Sequence, residues 1–221
     1  MRVLRRVSLP LAVVTALVGC SSSPGPADPS ASSGPPGGSP SSPHQPLPTT
    51  STSDVAVNFN TALHDELIGM LERDQAELNG HPQADTAEQR TARLKEIIEE
   101  YGWPTFDLVG KEGENAAWAI AQHSDFDLAF QQEALELLRE AAAHGQASPG
   151  NLAYLEDRVA VARDAPQVYG TQIRCGPDGP VPATPIRDEA GVEERRAAAG
   201  LPPLTTYLSE MATICAQDQN W

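Results

Sequence analysis

Basic charge is what this sequence most lacks. Fifteen Lys and Arg stand against thirty Asp and Glu, for a formal net charge of −15. That deficit argues against nonspecific nucleic-acid binding, which needs cations set against phosphates, and against an electrostatic grip on anionic lipid. The recognisable catalytic signatures are missing as well. There is no Gly-x-Ser-x-Gly elbow, no phosphate loop, no dinucleotide fingerprint and no His-Glu-x-x-His zinc helix. No cofactor is expected. His123-x-Asp125-x-Asp127 has metal-ligand residue types, but its spacing does not suit one helical face. Both acids read better as helix caps, so no metal is expected either. Cysteine is scarce, with three in the chain. Long apolar runs are scarcer still: the one of note covers residues 7–18, too short for a spanning helix.

That run has a context. Arg2, Arg5 and Arg6 precede it, and Leu17-Val18-Gly19-Cys20 closes it. A basic start, an apolar core and this ending resemble the signal peptide and lipobox of bacterial lipoproteins. The resemblance implies cleavage before Cys20, thioether lipidation and acylation (palmitate among the acids) at Cys20. Residues 1–19 then form the signal peptide. The expected partner is a membrane, reached through lipid on Cys20, on the extracytoplasmic face of the cell. Each buried methylene contributes about 0.8 kcal/mol, so several chains make a firm anchor. Losing the three arginines takes the net charge from −15 to about −18.

Residues 20–54 hold Cys20 and a linker rich in Ser, Pro, Gly and Thr. It has too little apolar surface to offset the entropy of ordering, so it is expected to be a disordered tether with a span of about 30 Å. Residues 55–221 are the right size for one compact domain. With Cys20 lipidated, Cys175 and Cys215 remain in an oxidising compartment and are expected to pair. Closing the intervening loop constrains the unfolded chain by about 4 kcal/mol in the entropy model.

The domain reads as mainly α, a multi-helix globule with a short extended or hairpin arm. Leu63, Leu67, Met70, Leu71 and Leu78 recur at helical spacing over residues 59–78. Asp74 falls in that stripe and is expected at its edge, reaching water. Thr86-x-x-Gln89 looks like a capping box, and Gly102 with Pro104 closes the second helix. Residues 103–113 read as a loop with buried anchors. The stretch around Ala116-Ala117-Trp118-Ala119-Ile120-Ala121 is a short apolar helix that ends in Gln122 and His123. Asp125 or Asp127 then caps a fourth helix, which runs to about residue 144. Ser148-Pro149 opens a fifth, whose inward face is Leu152, Leu155, Val159 and Ala162. Residues 167–173 are β-prone, Gly176-Pro177-Asp178-Gly179 is a turn, and residues 181–186 are a second short strand. Asp188 caps a helix to about residue 199, and Pro203 starts the last one.

Several polar groups lie beside apolar stripes, where an unpaired group costs about 1–3 kcal/mol. They are Gln122 with His123; Tyr154, Asp157 and Arg158; Gln167, Tyr169, Thr171 and Gln172; and Arg195 with Arg196. Their order along the chain is informative. Gly102-Trp103-Pro104, Leu108-Val109-Gly110, Ala116-Ala117-Trp118 to Gln122-His123, Tyr154-Leu155-Glu156-Asp157-Arg158, Gln167-x-Tyr169-Gly170-Thr171-Gln172, Pro185-Ile186, and Arg195-Arg196 to Gly200-Leu201-Pro202 form one series. It resembles the bacterial family catalogued as domain of unknown function 6624. One departure is that the family commonly has a basic residue four places after the aspartate matched by Asp74, where this chain has Leu78. The resemblance implies a shared fold and a shared site, and it carries no assigned activity.

Two functions fit these residues. In the first, the domain is a tethered binding or scaffolding module, and the polar residues form a buried network that fixes the fold. In the second, it is an extracytoplasmic enzyme acting on an envelope-derived substrate. His123 is then a general acid or base oriented by Asp157. Gln122, Tyr154, Arg158, Tyr169, Gln172 and Arg195 are the candidate binding residues. The sequence names neither a small-molecule ligand nor an envelope partner.

Overall fold

The computed structural model describes residues 59–218. The expectations for the signal peptide, Cys20 and the linker lie outside the described residues. The rest is mainly helical, in the order α1 (Thr61–Leu78), α2 (Ala87–Tyr101), α3 (Phe106–His123), α4 (Leu128–Ala143), α5 (Pro149–Ala162), β1 (Ile173–Gly176), β2 (Gly179–Pro182), a 3-10 turn (Glu189–Gly191), α6 (Val192–Ala198) and α7 (Leu204–Asp218). Helix α3 is the hub, packing against α1, α2, α4 and α5.

The reason is its sequence. Ala116, Ala117, Ala119 and Ala121 let neighbouring helices approach, while Val109, Trp118 and Ile120 fill the gaps; all seven are buried. Gly113 extends the small-residue theme, since a Cβ there would lie 2.7 Å from that of Val109. Facing α3, α1 buries Leu63, Leu67 and Met70, and α2 buries Leu94, Ile97 and Ile98. Each fully buried aliphatic side chain contributes about 1.5–3 kcal/mol.

The ends of the helices are set by local chemistry. Thr86 and Gln89 form the reciprocal capping box expected for α2, and Gly102 ends that helix at φ 73°. Asp127, rather than Asp125, caps α4 by accepting from the Phe130 amide. Ser148 caps α5 and is followed by proline in its first turn. Three expectations change. Residues 106–113 are helical rather than loop apart from a break at Gly110 (φ 72°), because Thr105 supplies an extended N-cap and the glycine takes the break one turn later. On α5, Ala153, Leu155, Asp157 and Val159 are buried, whereas Leu152 is half-buried and Ala162 exposed. The inward face is rotated because the chain after Pro166 wraps that side. Asp188 has a left-handed backbone (φ 50°) and makes no side-chain cap, so a 3-10 turn precedes α6.

The hairpin forms in a later register than the β-prone residues suggest. β1 and β2 pair antiparallel, with Ile173 opposite Pro182 and Gly176 opposite Gly179. Residues 167–172 stay outside the ladder, apart from a parallel bridge between Gln167 and Ile186. The amides of Val168, Tyr169, Thr171 and Gln172 bond side chains instead, while Gln167 bonds the backbone of Pro185 and Arg187. Cys175 on β1 and Cys215 on α7 are disulfide-bonded, as expected.

Candidate functional site

The polar residues gather into two groups at neighbouring seams of α3. The first is built on Asp157, which lies fully buried on α5. Its Oδ1 accepts from the amides of Val168 (2.6 Å) and Tyr169 (3.1 Å); its Oδ2 accepts from the Thr171 amide (2.8 Å) and hydroxyl (3.0 Å). One carboxylate thus holds the whole 168–171 turn. Gly170 allows the turn to sit there: its φ is 69°, and a Cβ would meet the Ile186 side chain at 2.5 Å. Gln167 copies a strand neighbour. Its side chain accepts from the Gln172 amide and donates to the carbonyls of Gln172 and Thr184.

The surrounding residues extend the clamp. Gln172 donates to the Tyr154 carbonyl and accepts from Arg158 Nη1. Arg158 Nε donates to the Gln122 carbonyl at 3.1 Å and lies 3.1 Å from Asp125. Arg195 donates to the carbonyls of Val168, Arg187 and Asp188. Arg196 is fully buried, donates to the carbonyls of Tyr169 and Pro202, and stacks on the Tyr207 ring at 5.1 Å. Burial lowers its pKa. The Tyr207 hydroxyl donates to the Thr171 carbonyl, and burial drives its pKa well up. Tyr154 packs edge-on between Trp118 and Tyr207. Tyr169 joins through its backbone.

The second group contains His123. Its Nδ1 is 2.7 Å from Asp74 Oδ2, so Asp74, not Asp157, is the carboxylate that orients the imidazole. Asp157 has given both its oxygens to the 168–171 turn. Asp74 does not reach water; it is only 3% exposed, on the face of α1 that meets α3. It also accepts from Gln75 Nε2 (3.1 Å) and lies 3.8 Å from the Arg90 guanidinium. Arg90 is buried and paired further with Glu77 and with Asp85 at 2.8 Å. Burial works against its charge, but Glu77, Asp85 and Asp74 outweigh that and raise its pKa. With Leu78 where the family commonly has a basic residue, the cation beside Asp74 comes from Arg90 on α2.

Sequence reasoning placed Asp74 in water and passed over Arg90. The usable signal was positional: Asp74 follows Met70 by four in the α1 stripe, and Arg90 precedes Leu94 by four in the α2 stripe. It also passed over Glu114, a carboxyl 1% exposed near the Gly110 break. Burial pushes Glu114 up to about 7, against the opposing pull of Asn151, Trp103 and the Ser148 backbone. Asn151 donates to its Oε2 at 3.0 Å, while Oε1 has no partner. Trp118 Nε1 and Gln122 Oε1, four and eight positions further along α3, are likewise buried without partners.

A groove of about 370 Å³ lies elsewhere, between Lys95, Glu99, Phe130 and Glu133, and includes none of the candidate residues. Among the described residues no group of three or more His, Cys, Asp or Glu is placed to hold a metal, and no helix is long and apolar enough to cross a membrane. No curated protein and no solved structure matches the chain. A family model does match, over residues 71–215, and its span runs from the last two turns of α1 to the disulfide on α7. The chain belongs to that family, DUF6624, a family of unknown function.

Proposed function

We propose that this protein is an extracytoplasmic lipoprotein, anchored to a membrane through Cys20, whose helical domain is a binding or scaffolding module. The basic start, the apolar run and the lipobox-like Leu17-Val18-Gly19-Cys20 support the anchor. One observation supports the module reading above the rest. Asp157, the best-placed acid of the polar series, spends both oxygens on four donors from the single 168–171 turn. Gln167, Arg195 and Arg196 likewise bond backbone carbonyls. Groups so occupied hold shape and have little left for a substrate.

Two measurements test this reading. Asp157→Asn leaves at least one buried amide facing a donor, and it removes the charge from the remaining bonds. We expect a stability loss of about 3 kcal/mol or more by urea unfolding. Unchanged stability would mean that Asp157 is free for another task. For the anchor, metabolic labelling with a palmitate analogue should mark the wild type and not Cys20→Ala; equal labelling of the two would remove the lipoprotein reading. A second reading, an enzyme, is favoured by a different observation, the pairing of His123 with Asp74.

A further inference from the structure

The imidazole of His123 has one end committed and one end free. Nδ1 faces a carboxylate, which accepts and cannot donate, so the ring proton sits on Nδ1 and the lone pair on Nε2. Nε2 has no hydrogen-bond partner among the described residues, and the side chain that carries it is 10% exposed. Behind it, Asp74 is held in place by Gln75 and by the buried guanidinium of Arg90. A rigid, buried carboxylate fixes the tautomer and the orientation of the ring.

A second half-free group belongs to the same end of α3. Arg158 is tied through Nε to the carbonyl of Gln122, the residue next to His123, and to the Asp125 carboxylate at 3.1 Å, and through Nη1 to Gln172. Its Nη2 makes no hydrogen bond among the described residues, and the side chain is 23% exposed. A guanidinium held by two of its nitrogens and open at the third presents a fixed donor to a carboxylate or phosphate oxygen.

Resting on the second, enzyme reading, we infer that His123, Asp74 and Arg158 form a general-base site that hydrolyses an ester carrying an anionic group. Arg158 Nη2 holds the anionic oxygen. His123 Nε2 takes a proton from water as the water oxygen bonds to the acyl or phosphoryl centre. The bond to the leaving oxygen breaks, and the imidazolium returns the proton to that oxygen, so that an acid and an alcohol are released. The Nδ1 proton stays hydrogen-bonded to Asp74, which is a positioning residue and touches no substrate.

The test uses the purified full chain and three chromogenic probes: bis(para-nitrophenyl) phosphate, para-nitrophenyl hemisuccinate and the neutral para-nitrophenyl acetate. Hydrolysis of one of the two anionic esters is expected, and the one hydrolysed identifies the acid as phosphoric or carboxylic. His123→Gln should lower kcat by about a hundredfold or more. Asp74→Asn should lower kcat with little change in KM, and Arg158→Gln should raise KM for the anionic ester about tenfold. Because these variants can also disturb folding, the folded wild type supplies an independent arm. Diethyl pyrocarbonate should acylate His123 and abolish turnover, and hydroxylamine should restore it. The inference is overturned if neither anionic ester is hydrolysed above the buffer rate. It is also overturned if His123→Gln or acylated His123 keeps full activity, or if the acetate is turned over as well as the anionic esters and Arg158→Gln changes nothing.

Discussion

Glu114 shows how one buried side chain can set the response of the fold to pH. It sits on α3 with Asn151 donating to its Oε2 and no cation paired with it. Its folded-state pKa of about 7 lies above the ordinary 4.5 because burial disfavours the charged form. The unfolded chain therefore loses this proton near pH 4.5, while the folded chain keeps it until about 7. Below 4.5 both states are protonated and the group costs the fold nothing through linkage. Between 4.5 and 7 stability falls as pH rises, and above 7 the loss is complete. The drop is about 3 kcal/mol, from 1.36 kcal/mol per pH unit. Glu114→Gln keeps the size and cannot ionise. Urea unfolding across this window should show wild-type stability declining and that of the variant declining less, so that the variant is the more stable protein above pH 7. Parallel curves would mean that Glu114 is ionised in the fold. None of this could be read from the sequence, where Glu114 is one acid in a run of charged residues. Its burial depends on Trp103 and Asn151, which reach it from other segments.

At the scale of elements, legibility follows the range of the interaction. Helix boundaries were readable wherever a cap settles them within four residues, as Thr86 with Gln89, Ser148 with Pro149 and Gly102 do. On α1 and α2 the apolar core members Leu63, Leu67, Met70, Leu94, Ile97 and Ile98 were readable because they keep a regular period. The buried Asp74 and Arg90 were not, and Tyr101, which shares the α2 period, is exposed. The α5 face and the hairpin register were not readable. Both depend on Asp157, which draws the 168–171 turn onto α5 and removes residues 167–172 from strand pairing. A carboxylate that satisfies four donors eleven to fourteen residues away leaves no local pattern. The site divides the same way. Spacing alone brought out His123, Asp157 and Arg158 as polar residues beside core positions. Which acid serves which partner was decided by α1 and α2 crossing α3, so Asp74 took the place given to Asp157.

For the domain as a whole, the weakest attachment is α7. Between Leu204 and Cys215 it buries only Tyr207 and Cys215; its other side chains there are half-buried or exposed. It touches the hairpin and α6, which are themselves short elements. One buried tyrosine and one ring–guanidinium contact contribute a few kcal/mol at most. The disulfide from Cys175 to Cys215 compensates by tying the far end of α7 to β1 across a separation of 40 residues. In the entropy model a loop of that length is worth about 4 kcal/mol, comparable with everything else that holds the helix. Replacing both cysteines with serine should therefore act first on α7. Amide exchange in α7 and the hairpin should quicken at least tenfold, while the α3 amides, protected by four flanking helices, should slow or quicken only as far as global stability falls. Uniform acceleration across α3 and α7 would show instead that the helix and the core open as one cooperative unit. In that case the bond secures the whole domain rather than its last element.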